Sequence, residues 1–276
     1  MEREPLSVRE GRREAQGPYG GVPVHLRSAL VYWLQGAFGY RRTPARGGMS
    51  RSAMLEVGVA ARIPVELSTD PSAVMASILK HCLADDEVFL DVVDATLGIL
   101  GRNSDTGWLE DTLRSGNSAW KVAADRSSLQ RRVDPTAQLA IEQAISPSDS
   151  ASAELSEAWA KAYGRHPDPS DAWDHAIKAV EAILIPLVCP SQRNPQFGHV
   201  RGELRKPDTK WQLLLSDADG SHSVEPLLAM LDRLWPNPDR HVDGKQRTPT
   251  LEEAQAVVHL AVTVVQWGRS GVITKP

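Results

Sequence analysis

The sequence predicts a mainly α protein: a helical N-terminal domain carrying a small β hairpin, then a four- or five-helix bundle. Three observations predict it. Apolar residues recur at helical spacing along most of the chain, start signals such as Asp-Pro and Thr-x-x-Glu precede several of those runs, and one short segment, "AWKVA", departs from the pattern. With 276 residues, of which 41% are apolar and 24% charged, the chain can fill one large core or two ordinary ones.

The first helix is predicted over 23–38, where Leu26, Leu30, Trp33, Leu34 and Ala37 share one face. "GYRRTPARGGMSR" then reads as a loop, being rich in Gly and Arg. Asp70 and Pro71 supply an N-cap and a first helical residue for "DPSAVMASILKHCL". "DDEVFLDVVDATLGIL" repeats the signal with Val88, Leu90, Val92, Val93 and Leu97 apolar. A helix from Trp108, a Ser-Gly-Asn turn and "AWKVA" follow, the last reading as one strand of a hairpin. Asp134 restarts a helix. "SPSDSAS" from Ser146 is the most linker-like run in the chain, which divides it into an N-terminal domain, 1–145, and a C-terminal one, 152–276.

The second half is regular. Leu155, Ala158, Trp159 and Ala162 define one helix. Asp168 and Pro169 open a longer one that carries Trp173, Ala176, Ile177, Val180, Ile183, Leu184 and Leu187. "VEPLLAMLDRLW" is a third. The last begins with the capping box Thr250-x-x-Glu253 and is apolar around much of its circumference, so it lies at the centre of a bundle or is buried in a dimer.

Composition narrows the function classes. The net charge of −4 offers no global attraction for nucleic acid, although a local basic site needs only clustered charge. Residues 1–51 hold nine Arg against four Glu, which fits a solvated arm or a basic surface that meets RNA or DNA. Cys82 and Cys189 stand far apart with no C-x-x-C spacing, so a zinc site is not expected and free thiols in a reducing cytoplasm are. No apolar run is long enough for a membrane span, and the Arg- and Glu-rich start has no signal core. The expected location is the cytoplasm.

The chemistry concentrates at "NPDRH", residues 237–241. Pro236 and Pro238 stop the helix that carries Trp235, and Asn237 is suited to cap a turn begun by Pro238. That turn presents Arg240 and His241 together. A guanidinium offers a planar fork to phosphate oxygens, and an imidazole moves a proton near neutral pH. The pair suffices to cleave RNA through its own 2′-hydroxyl, with no metal or organic cofactor. A surface loop would carry the same two residues.

"AWDHAIKAVEAIL", with Glu181 inside an apolar run, and "NPDRHVDG" ahead of a buried last helix together resemble the HEPN superfamily of toxin and abortive-infection ribonucleases. "LSVREG" and "VPVHLRSALVYWL" resemble the N-terminal domain of AbiJ-type abortive infection proteins. The resemblance implies a HEPN-like four- or five-helix bundle and a metal-independent endoribonuclease of the antiphage or toxin type. It also implies a homodimer through the C-terminal bundle, an RNA substrate and a regulatory protein partner. His241 would be the general acid or base, Arg240 the phosphate contact with Arg233 as alternative, and Asn237 the residue that positions the turn. The usual family spacing is Arg, four to six residues, then His; Arg233 is one residue too far from His241, and prolines intervene. A non-catalytic module that dimerises and binds RNA or protein is the alternative reading.

Glu181 either pairs with Lys178 or stands exposed, or it orients Arg240 or His241 from the neighbouring helix. Trp235 is a candidate for stacking a base. His175 reads as surface decoration. His199 and His222 read as loop residues without ligand partners, and "SDADGSH" lacks the acidic ligands of a calcium loop. "LSVREG" either anchors the arm or meets a partner.

Overall fold

The computed structural model describes residues 5–14, 16–39, 50–240 and 247–275. The chain is mainly α, with two small antiparallel strand pairs among the described residues. It divides into two compact units, 1–132 and 133–276.

The first unit contains α1 (Leu6–Arg9), α2 (Val24–Ala37), α3 (Arg51–Ala60), α4 (Pro71–Ala84), α5 (Asp86–Leu100) and α6 (Thr106–Ser115), then β1 (Trp120–Val122) and β2 (Leu129–Arg131). Side-chain caps set the helix starts. Asp70 accepts from Ser72 N–H, Asp85 from Glu87 and Val88 N–H, and Asp105 from Trp108 N–H. The most apolar of these helices, α5, buries Phe89, Leu90, Val92, Val93 and Leu97, against which α2, α3 and α4 pack. Leu26, Leu30, Trp33 and Leu34 of α2 are buried, as the spacing predicts.

"AWKVA" does supply one strand of a hairpin: β1 pairs antiparallel with β2, Val122 opposite Leu129 and Trp120 opposite Arg131. So short a ribbon needs support from neighbours. Glu110 of α6 accepts from Val122 N–H at 2.9 Å and from Arg132 at 2.9 Å, while Asp94 of α5 accepts from Leu129 N–H at 2.6 Å. The anchoring expected of "LSVREG" is not seen, since α1 buries none of its residues and Leu6 is 55% exposed. Most of the predicted Gly/Arg-rich loop, 40–49, lies outside the described residues.

The second unit contains α7 (Pro135–Ile145), α8 (Ser150–Tyr163), α9 (Pro169–Val188), α10 (Phe197–Leu204), β3 (Gln212–Leu213), α11 (Glu225–Leu234), α12 (Leu251–Ser270) and β4 (Ile273–Thr274), which pairs with β3. Helices α7, α8, α9 and α12 form the bundle, and α10 and α11 close over α9 and α12. The last helix is buried within its own unit by Ala254, Val257, Val258, Ala261, Val262, Val264 and Val265. α10 escapes the sequence reading because it is only eight residues long, with two glycines.

The units divide between Arg132 and Val133, ahead of α7 and not at the linker-like run from Ser146. Arg269 of α12 explains the difference. Its guanidinium donates to the Ala144 carbonyl, to both Asp149 carboxylate oxygens at 2.7 and 2.8 Å, and to Ser152 Oγ at 3.0 Å. "SPSDSAS" is therefore a tethered connection inside the second unit. Polar composition alone does not distinguish a linker from a turn held by an arginine.

Candidate functional site

α11 ends at Leu234, and a 3₁₀ turn over Pro238–Arg240 follows. The connection between them is fastened twice to α9. Trp173 Nε1 donates to the Leu234 carbonyl at 2.6 Å. Asn237, 2% exposed, donates through Nδ2 to Asp174 Oδ1 at 2.8 Å and to the Ser170 carbonyl at 3.2 Å. Its Oδ1 accepts from Asp239 N–H at 3.3 Å, so the same amide caps the turn and ties it to the bundle. Ser170 and Asp174 are one helical turn apart on α9, which is why a single amide group reaches both.

The far side of the segment is fastened as well. Arg247 N–H donates to the Pro238 carbonyl at 3.3 Å. The Arg247 guanidinium forms two bonds of 2.6 Å to Glu253, whose Oε2 also accepts from Thr250 N–H at 2.9 Å. This bidentate pair and the capping box hold the Glu253 carboxyl at about 2, below its ordinary 4.5. Pro238 and Arg247 thus form a closed neck on the start of α12. His241 itself, the residues through 246 and the Arg240 side chain lie outside the described residues.

Glu181 serves a different element. It is half-buried on α9, and its Oε1 accepts from Phe197 N–H at 3.2 Å at the start of α10. Asp174, two turns or about 10 Å nearer the N-terminus of α9, is an acidic side chain that meets the junction through Asn237. Sequence reasoning missed Asp174. The available signal was its position on the same α9 stripe as Glu181, seven residues away, where a carboxylate beside buried Trp173 needs a partner.

Trp235 is 37% exposed. Its ring stacks on Phe197, with centroids 6.3 Å apart at 21°, and the Arg201 guanidinium lies 5.1 Å from its centroid. Arg201 and Arg205 both pair with Asp232 of α11. Arg233 is exposed and forms no ion pair among the described residues.

The remaining histidines are used locally. His175 is not decoration: its Nδ1 lies 2.6 Å from Glu154 of α8, and Asp171 is 3.5 Å from its Nε2. His199 sits in the first turn of α10 rather than in a loop, and its Nδ1 accepts from Gln196 N–H at 3.0 Å. His222 meets the Leu213 carbonyl at 2.9 Å. Burial pushes the Cys82 thiol up to about 12, leaving it a poor nucleophile. Among the described residues, no group of His, Cys, Asp and Glu is placed to hold a metal ion, and no helix is long and apolar enough to cross a membrane.

Compared with protein-family models, curated proteins and solved structures, the chain matches none.

Proposed function

We propose that this protein is a metal-independent endoribonuclease of the antiphage or toxin type, acting in the cytoplasm as a dimer of HEPN-like bundles. The observation that supports the reading is the closed neck. Arg240 and His241 lie in sequence between Asn237, bonded to α9, and Arg247, bonded to both Pro238 and Glu253 of α12. Fixing both ends limits the space that a catalytic pair must search, which lowers the cost of aligning it with a phosphodiester.

In this reading His241 takes the proton of a ribose 2′-hydroxyl. The 2′-oxygen bonds to the adjacent phosphorus, the bond to the 5′-oxygen breaks, and that oxygen leaves with a proton returned by an acid. Arg240 bonds the non-bridging oxygens as their charge grows, with Arg233 as its alternative. Asn237 is a positioning residue, because its amide is buried and occupied. Glu181 accepts from Phe197 N–H at the start of α10, and in this reading its carboxylate also orients Arg240 or His241 from α9.

One observation favours a second reading, a non-catalytic module that dimerises and binds RNA or protein. Asn237 and Glu181 both spend hydrogen bonds on holding secondary structure. The two readings part in one experiment: purified protein and its His241→Ala form are incubated with total RNA in the presence of chelator. The enzyme reading expects cleavage by the first and none by the second. Equal cleavage by both removes His241 from the mechanism, and no cleavage by either leaves the module.

A further inference from the structure

We draw no further inference here: the strongest candidate, the surface groove between α2 and α6 lined by His25, Ala29 and Trp108, carries nothing because nothing in the structure shows what covers it.

Discussion

Asn237 Nδ2 donates to Asp174 Oδ1 at 2.8 Å, joining the break after α11 to the first half of α9. Removing the amide with Asn237→Ala leaves a half-buried carboxylate and a backbone carbonyl without that donor. A loss of roughly 1–3 kcal/mol is expected. Urea unfolding of Asn237→Ala, Asp174→Ala and the double variant should give less than additive losses. Strict additivity would mean that the bond contributes nothing to the fold.

Glu181 separates a structural from a catalytic reading. Its bond to Phe197 N–H makes it a side-chain cap supplied from another helix, so Glu181→Ala should cost about 1 kcal/mol in thermal or urea unfolding. Glu181→Gln, which still offers an oxygen, should recover most of that. If cleavage by Glu181→Gln collapses while its stability is unchanged, the carboxylate has a role at the phosphate.

Acid stability should fall in two steps. His259 packs edge-on to Trp159 and lies 2.7 Å from Tyr163 Oη, and burial holds its pKa below 6.5. Its unfolded form therefore binds the proton first, so stability is lost as pH drops below about 6.5. Glu253, held at about 2 by Arg247 and then by Thr250 N–H, contributes stability above 4.5 that is lost as pH falls from 4.5 towards 2. Midpoints of thermal unfolding across this range should show both slopes. His259→Gln should flatten the upper one only, and Arg247→Gln the lower one only.

Gly268 lets α12 approach α9. A Cβ there would run into Ile183 Cγ2, with Leu184 Cδ2 at 3.8 Å behind it. Gly268→Ala should destabilise the second unit by about 1–3 kcal/mol despite the better helix propensity of alanine. Adding Ile183→Val should restore part of the loss, and no rescue would show that the helices accommodate the methyl group elsewhere.

The long helices were legible because their information is local. Asp70, Asp85 and Asp168 cap in place, and the apolar spacing of α2, α9 and α12 matches the faces they bury. The hairpin was half legible: β1 showed its β-like texture, while β2 depends on Asp94 and Glu110, which reach it from distant helices. α10 was illegible for a similar reason. Besides the local bond to His199, its start is capped by Glu181, sixteen residues upstream, and its residues alone favour a helix weakly.

By itself the sequence determined where the long helices form and that a proline-framed break separates α11 from α12, since caps, spacing and ring constraints act within a few residues. Only the tertiary structure decided that Asp174 receives Asn237, that Glu181 caps α10, that Arg269 turns an apparent linker into a tether, and that Trp235 is left partly exposed. Each of these depends on which side chain of another element stands within hydrogen-bonding or stacking distance. Packing, and not composition, sets that distance.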